Sequence, residues 1–377
     1  MKITQIRATP LSLPYKEAYH WSGGCPMGAT VVLVEVETDA GVVGIGESTG
    51  DRSAEGVMGL IRGLTPLFIG EPAFDVERLM ARAFRLGKLQ NTPRFGNHAF
   101  AGLEMALWDA VGKAAGQPVH RLLGGATRGE IDYFAFLQGD EAGELAEDAR
   151  AAAGAGYSVI YMKVGRGEKK DLSNVRAVRR EIGDLKLRVD VNEAWDVLTA
   201  IRMIRKLSEF DLEFVEQPTP SRDMEALAQV KAAVNVPIAI DQGVYTPAEV
   251  YEACRRRAAD VIVLGPHETG GLLGFRKAAA VAEAAGLPVC LHGQHDTGIS
   301  TCAENQICAT LSNLTDGNQI MHQLLVEDLV ASPDLTVRKG RLPALEGVGL
   351  GFELDRDAVA RGAERYRKQG QYYQFSV

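Results

Sequence analysis

The stretch that decides the fold is residues 158–292, in which six short apolar segments recur at nearly even spacing. They are SVIYMK (158–163), KLRVD (186–190), LEFVE (212–216), PIAID (237–241), DVIVL (260–264) and LPVCLH (287–292). The residues that end or directly follow them, Lys163, Asp190, Glu216, Asp241, Gly265 and His292, are 27, 26, 25, 24 and 27 residues apart. Each interval is about the length of one strand, one helix and two short loops. The spacing therefore predicts a repeating β/α unit.

Parallel strands joined by helical crossovers, repeated this often, close most readily into an eight-stranded barrel. The segment IDYFAFL (131–137) is the predicted first strand, and the eighth unit is the weakest, around NQIM (318–321). In such a barrel, side chains at the carboxyl ends of the strands meet at one mouth. We predict an α/β fold of this type with its reactive residues at that mouth.

The chain has 377 residues, which fits a barrel of roughly 250 residues and a smaller companion domain. VVLVEVET and VVGIGES, separated by a turn at Asp39, Ala40 and Gly41, predict an antiparallel hairpin, and HAFAGLEMALWDAVGKAAG predicts a helix that Gly116 ends. We expect an α+β domain in residues 1–125, the barrel in 126–325, and a segment, 326–377, that packs back on the first domain.

Composition excludes several classes of protein. A net charge of −8 with no basic stripe argues against a nucleic-acid partner, and no apolar run approaches the ~18 residues of a membrane span. Five cysteines without a CxxC pattern argue against a disulfide framework and against a zinc site. We expect a cytoplasmic protein with reduced thiols that binds neither nucleic acid nor a membrane.

Three carboxylates, Asp190, Glu216 and Asp241, end three consecutive predicted strands. Adjacent strands lie ~5 Å apart, so these acids crowd their negative charges together unless a cation lies among them. Ligands that are all oxygen favour Mg²⁺ over zinc or copper. We predict one Mg²⁺ at this place; the alternative is that the acids pair with lysine or arginine.

Lys163 and His292 are the predicted acid–base residues. A lysine beside a metal in a barrel mouth can have its pKa lowered by desolvation and by the cation, which makes Lys163 a usable base; the alternative is a salt bridge to one of the acids. His292 ends the seventh strand, across the mouth, and is a candidate second acid or base. His267, His295 and Tyr161 compete for this role.

The loop from Tyr15 to Gly28 is rich in aromatic residues and glycine. It is either a surface connection or a lid that covers the mouth and contacts substrate. The predicted substrate-binding residues are three from this loop and three that follow strand ends, namely Tyr19, His20, Trp21, Asn192, Gln242 and His267.

Several motifs together resemble the enolase superfamily, in the branch of mandelate racemase and the muconate-lactonising enzymes. They are GLEMALWDAVGKAAGQPVHRLLGG, the lysine of YMKVG, RVDVNEAW, FVEQP, PIAIDQ and ETGGL, and they span nearly the whole chain. The resemblance implies a capping domain over a (β/α)₇β barrel and Mg²⁺ on Asp190, Glu216 and Asp241. It also implies abstraction of the proton α to a carboxylate, which gives an enediolate.

The departures from the family pattern are specific. The lactonising branch usually carries Lys-x-Lys on the second strand and a lysine on the sixth, where this chain has Tyr161 and Gly265. His292 lies where the racemase branch places its catalytic histidine, yet the aspartate that normally supports that histidine also aligns with Gly265. The partner of His292 is therefore missing or supplied from elsewhere.

These features predict an isomerase of a small carboxylic acid, either a racemase or epimerase or a cycloisomerase, that acts as a homo-oligomer between a dimer and an octamer. The alternative is a dehydratase of a hydroxy acid such as a sugar acid or a hydroxyproline-like compound. A noncatalytic barrel that serves as a binding protein is a more remote alternative, since the acids and Lys163 are all present.

Overall fold

The computed structural model describes residues 1–50 and 52–373, apart from the side chain of Gln90. The first part is an antiparallel sheet of β1 (Ile3–Pro14), β2 (Gly28–Thr38) and β3 (Val43–Thr49), in that order. It is followed by α1 (Ala54–Leu64), α2 (Val76–Leu86), α3 (Pro93–Ala115) and α4 (Val119–Leu122). The hairpin from β2 to β3 was predicted, and so was the end of α3 at Gly116, which has a φ of +64°.

Close packing of α3 on β3 depends on glycine. A Cβ atom on Gly44 would lie 2.0 Å from the Ala106 carbonyl oxygen, and one on Gly46 would lie 2.1 Å from that of Gly102. Only a residue without a side chain lets the helix backbone approach the strand this closely. The sequence VVGIGES therefore determines where α3 packs, and with it the position of the residues that α3 turns toward the barrel.

The second part is a parallel sheet of seven strands with helices between them. In chain order its elements, with the short strand β4 before them, are β4 (Glu130–Asp132), β5 (Ala135–Phe136), α5 (Ala142–Gly154), β6 (Val159–Lys163), α6 (Glu168–Ile182), β7 (Lys186–Asp190), α7 (Val197–Leu207), β8 (Phe214–Glu216), α8 (Met224–Ala233), β9 (Ile238–Ile240), α9 (Pro247–Arg256), β10 (Val261–Leu264), α10 (Pro266–Thr269), α11 (Leu272–Ala284), β11 (Val289–Leu291) and α12 (Gly298–Cys308). The sheet runs in order from β5 to β11. The (β/α)₇β prediction is confirmed.

The barrel closes through residues 313–319, which make parallel bridges at Leu314 to β11 and at Asn318 to Tyr133. The Thr315 amide donates to the Val289 carbonyl and the Phe134 amide donates to the Asn318 carbonyl. This irregular segment takes the place of an eighth strand, close to the predicted weak unit. The predicted first strand, in contrast, is divided, because β4 turns away to pair with a later strand.

The remaining elements are β12 (Val330–Ser332), β13 (Arg341–Pro343), β14 (Glu353–Leu354) and α13 (Arg356–Gln369). Strand β13 pairs with β4, and α13 packs on β1, where the Ser12 hydroxyl donates to the Gly370 carbonyl at 2.8 Å. The last four residues of the predicted C-terminal segment lie outside the described residues. Short 3₁₀ helices span Thr65–Leu67, Leu89–Asn91, Ser208–Phe210 and His322–Leu324.

None of the described helices has the length and apolar character needed to cross a membrane. The division of the chain at residues 125 and 325 stays a prediction.

Candidate active site

The strand-end residues lie together because the parallel strands are in register. Lys163 is opposite Asp190, and Asp190 is opposite Glu216 on the next strand. Side chains alternate along a strand, so Tyr161, two residues before Lys163, faces the barrel interior as well. Lys163 is 7% exposed, and Asp190, Glu216 and Asp241 are each at most 2% exposed.

The hydroxyl of Tyr161 joins two of the carboxylates. It donates to Asp190 Oδ2 at 2.7 Å and lies 3.0 Å from Glu216 Oε1. Its ring stacks on Phe134 with centroids 4.3 Å apart. Burial, reinforced by the two acids, raises the pKa of Tyr161 well above its ordinary value. The hydroxyl therefore stays protonated and acts as a donor.

Lys163 forms a buried ion pair with Asp190, with Nζ 2.5 Å from Oδ2. Burial lowers the pKa of Lys163, but the Asp190 charge and the other nearby acid groups outweigh it, so the net pKa is raised. Without a cation the carboxylates stabilise the ammonium form, so the predicted lowering, which depends on a bound cation, stays a prediction. The salt bridge that was weighed as the alternative is present.

The three carboxylates converge only in part. Asp190 and Glu216 meet at the Tyr161 hydroxyl, whereas Asp241 Oδ1 lies 3.5 Å from His292 Nδ1. Burial, together with neighbouring carboxylates, raises the pKa of Glu216 well above normal. Burial and neighbouring carboxylates also raise the pKa of Asp241, to about 7, against the charge of His292, which lowers it. The most compact trio of possible ligands in the described chain is a different one, formed by His267, Asp296 and Glu304.

The residues at the strand ends nevertheless fit a hard cation. Their donor atoms are all oxygen, the acids repel one another in a buried place, and a divalent cation would relieve that repulsion. Beside them, Gln242 donates its amide to Asp241, while Gln242 Oε1 and Asn192 Oδ1 are buried and have no hydrogen-bond partner among the described residues.

His292 has a partner that the sequence analysis missed. Its Nδ1 lies 2.8 Å from Oε1 of Glu268, which is 1% exposed and also accepts from the Gln294 amide. Burial lowers the pKa of His292, but Asp241 and Glu268 raise it to about 10. Burial has the opposite effect on Glu268 and raises its pKa, but His292 lowers that pKa below its ordinary value. The two residues form an ion pair.

Gly265 explains why the partner comes from Glu268. A Cβ atom on Gly265 would lie 2.3 Å from the His292 carbonyl oxygen, so neither a lysine nor an aspartate fits there without a shift of the backbone. Helix α10 starts directly after it and brings Glu268 back to the same place, where its carboxylate also accepts from the Gly265 amide at 2.9 Å. The motif ETGG, which begins with Glu268, is the feature of the sequence that could have indicated this partner of His292.

A cavity of about 270 Å³ opens at the carboxyl ends of the strands. It is lined by Tyr19, Trp21, Arg52, Lys163, Asn192, Glu193, Gln242, Tyr245, His292, Gly293, Gln294, His295, Gln319 and Met321. Of the predicted substrate-binding residues, Tyr19, Trp21, Asn192 and Gln242 line it. The two others, His20 and His267, are not among the lining residues.

His20 and His267 have other neighbours. The His20 ring contacts Cys25, with Nδ1 3.4 Å from Sγ. His267 is 1% exposed, and its Nε2 lies 2.9 Å from the Ser300 hydroxyl oxygen. His267 follows Gly265 at the start of α10, and the helix turns it away from the cavity into the protein.

Several lining residues were not foreseen because they come from irregular segments. Arg52 donates to the Tyr245 hydroxyl at 3.1 Å, which joins the first domain to the loop after β9. The loop after β11 contributes Gln294, which was not foreseen, and His295, which was an alternative candidate for the second acid or base and whose ring meets Tyr15 and Tyr19. No local pattern in the sequence marks these contacts.

Comparison with known proteins places the chain in a family. Residues 4–124 match the family described as "Mandelate racemase / muconate lactonizing enzyme, N-terminal domain", and residues 144–358 match "Enolase C-terminal domain-like". The chain belongs to the mandelate racemase/muconate lactonizing enzyme family of the enolase superfamily, as the motifs predicted, and it is an enzyme.

Relatives within the family catalyse different isomerisations. A chloromuconate cycloisomerase from Cupriavidus pinatubonensis is 34% identical over 88% of this chain and 91% of its own length. The structure of a muconate lactonizing enzyme from Pseudomonas fluorescens has a TM-score of 0.89 and 30% identity and covers 96% of this chain and 99% of its own. That of an N-succinyl Arg/Lys racemase from Bacillus cereus has a TM-score of 0.89 and 26% identity, with coverage of 96% and 98%.

Proposed function

We propose that the protein removes the proton α to the carboxylate of a small, polar carboxylic acid, with Lys163 as the base, and returns a proton from His292. The observation that carries this proposal is that Lys163 pairs with Asp190 at one end of the three buried carboxylates, whereas His292, paired with Glu268, lies beside Asp241 at the other end. The relatives, which include cycloisomerases and a racemase, support an isomerase.

Asp190, Glu216 and Asp241 would hold one Mg²⁺ per subunit. When bound, the cation supplies electrostatic stabilisation of the negative charge that proton removal leaves on the substrate. With Asp190 as a ligand, the cation would offset the carboxylate charge that stabilises the ammonium form, and the pKa of Lys163 would fall toward the range in which it can act as a base. The Tyr161 hydroxyl donates to Asp190 and lies 3.0 Å from Glu216, so it orients these two carboxylates.

His292 is the candidate acid because Asp241 and Glu268 raise its pKa, against the effect of burial. Delivery of that proton to carbon on the face away from Lys163 gives racemisation or epimerisation. A cycloisomerisation of an unsaturated diacid needs only one such group on one face, Lys163, acting in the protonating direction. A dehydratase is the second candidate, and the raised pKa of His292 favours it, since loss of a β-hydroxyl group requires an acid.

The cavity supports a polar substrate. Amide groups of Asn192, Gln242, Gln294 and Gln319 line it together with Arg52, and hydroxyl or carboxyl groups are suitable partners for them. Its small volume limits the substrate to a compact acid.

Exchange of the α-proton in D₂O, followed by NMR over a panel of sugar acids, muconate-like diacids, N-acyl amino acids and hydroxyproline-like acids, tests the proposal. We expect Lys163→Met to abolish both exchange and turnover. His292→Asn should retain exchange and lose turnover by ~10²-fold or more, the usual scale for a lost general acid. Exchange that survives in Lys163→Met would contradict the assignment of the base.

The metal assignment has a test that does not need a substrate. We expect Mg²⁺ to raise the melting temperature of the wild type, because a ligand bound only to the folded state stabilises it. Glu216→Gln should lose this effect, whereas Glu225→Gln, which changes an exposed acid that pairs with Arg256, should keep it. An equal rise in all three would show that the cation binds elsewhere.

A further inference from the structure

A second cluster of possible metal ligands lies apart from the strand-end carboxylates. It consists of His267 on α10, Asp296 in the loop before α12, and Glu304 on α12. One ligand atom from each lies within 4.8 Å of the others, and the three residues are at most 2% exposed. Because they come from three separate segments, only the closed barrel brings them together.

Two oxygens in this cluster have no hydrogen-bond partner among the described residues. They are Asp296 Oδ1 and Glu304 Oε1, both buried. The other oxygen of Asp296 accepts from the backbone amide of Gln294 at 2.9 Å. A buried carboxylate oxygen without a partner is unfavourable, so the two acids lack the compensation that buried charges need. Burial and the nearby acids raise the pKa of both groups well above the ordinary value.

Hydrogen bonds around the cluster orient the imidazole. Ser300 donates to Glu47 Oε1 at 2.9 Å, so the Ser300 oxygen is left to accept the proton of His267 Nε2. The His267 tautomer that donates from Nε2 carries its lone pair on Nδ1. This is the arrangement of metal-binding histidines, in which the second ring nitrogen is held by an outer hydrogen bond.

We propose that His267, Asp296 and Glu304 bind a divalent transition-metal cation, Zn²⁺ or Mn²⁺, at a site separate from that of Mg²⁺. Two carboxylates balance the two positive charges, so the buried site is neutral overall. One nitrogen and two oxygen ligands suit these cations better than Mg²⁺, which prefers oxygen alone. The site does not depend on the proposed reaction.

The site lies next to the His292–Glu268 ion pair. His267 precedes Glu268, the partner of His292, and Asp296 follows Gln294 and His295, which line the cavity. A cation there joins α10, this loop and α12, and so holds Glu268 and the cavity wall in place. Its role is to position these residues, since none of its ligands lines the cavity.

Metal retention tests the proposal. The probe is Zn²⁺, added in the presence of excess Mg²⁺ and measured after desalting. We expect the wild type to retain one Zn²⁺ per chain, and so should Glu216→Gln, which changes the strand-end acids. In Glu304→Gln and Asp296→Asn the Kd for Zn²⁺ should rise by roughly 10- to 100-fold or more. Loss of a residue that only hydrogen-bonds a metal ligand already weakens binding by about this factor, and these variants lose a ligand itself.

Folding is checked by circular dichroism, and two substitutions on different segments guard against a variant that does not fold. As a second readout, Co²⁺ bound to the wild type should show a visible absorption band that changes in His267→Gln. The proposal is wrong if the wild type retains no Zn²⁺, as expected if Asp296 and Glu304 merely share a proton. It is equally wrong if Glu216→Gln loses the metal while Glu304→Gln keeps it, which would assign the Zn²⁺ to the strand-end acids.

Discussion

At the scale of single residues, the absence of a side chain at Gly265 determines the chemistry around His292. A side chain there would collide with the His292 carbonyl, so the ion-pair partner comes from one turn further along, at Glu268. Asp241 and Glu268 together raise the pKa of this buried histidine to about 10, against the effect of burial. Such pairing is how a histidine becomes an acid that remains protonated at neutral pH.

Glu268→Gln tests this pairing. Because Glu268 raises the pKa of His292, its neutralisation should lower that pKa, and activity that needs protonated His292 should then be lost at a lower pH. We expect the alkaline limb of the pH profile of kcat to shift downward. The control is Glu193→Gln, an acid that lines the same cavity and accepts from the Ser221 amide. An unshifted alkaline limb in Glu268→Gln would rule out His292 as the acid.

At the scale of elements, the loop between β1 and β2 is an ordered flap, in which the Tyr15 amide donates to Met27 and the Tyr19 amide to Pro26. The Tyr19 ring stacks on Phe136 of the barrel with centroids 5.1 Å apart. The Trp21 ring is held against Gly23, where a Cβ atom would lie 2.4 Å from it. The position of Trp21 at the cavity therefore depends on a glycine two residues away.

Two substitutions in this flap should act in the same direction. Trp21→Ala removes the indole from the cavity wall, and Gly23→Ala displaces it. A loss of about 1–2 kcal/mol of binding free energy corresponds to a factor of about 5–30, so we expect KM to rise by roughly 5- to 30-fold in Trp21→Ala and by less in Gly23→Ala. Gly59→Ala, where a Cβ meets nothing within 4 Å, is the control. Unchanged kinetics in both flap variants would mean that the flap only connects two strands.

At the scale of the whole molecule, a buried acid of the first domain caps a helix of the barrel. Glu104 on α3 accepts from the amides of Leu272 and Leu273, at 2.7 and 3.1 Å, at the start of α11. A negative charge at a helix N-terminus is favourable. Burial nevertheless raises the pKa of Glu104 to about 7, against these hydrogen bonds, which lower it.

The burial of Glu104 should make the free energy of unfolding depend on pH. Between pH 4.5, the ordinary pKa, and about 7, folded Glu104 keeps a proton that the unfolded chain releases. The stabilisation of the folded state by Glu104 is therefore complete below pH 4.5 and is lost as the pH rises through about 7; it amounts to about 3 kcal/mol. Glu104→Gln should flatten the fall of unfolding free energy between pH 5 and 8, measured in urea, relative to exposed Glu77→Gln. A slope equal to that of the wild type would mean that Glu104 is charged throughout.

The sequence by itself determined the repeating β/α unit, the hairpin and α3 of the first domain, and the family. It did so because strands, helices and their caps are set by local periodicity and by glycine. It also placed Lys163, Asp190, Glu216 and His292 at strand ends, where parallel topology brings side chains together.

Only the tertiary structure decided which of those groups touch. Three features depend on distances between segments far apart in the chain. They are the ion pair of Lys163 with Asp190, the ion pair of Glu268 with His292, and the burial of His267 behind the cavity. The pKa of Lys163 shows the physical reason, since burial and nearby charges act in opposite directions and their balance is a property of the folded arrangement. The cluster of His267, Asp296 and Glu304 likewise exists only after the barrel has closed.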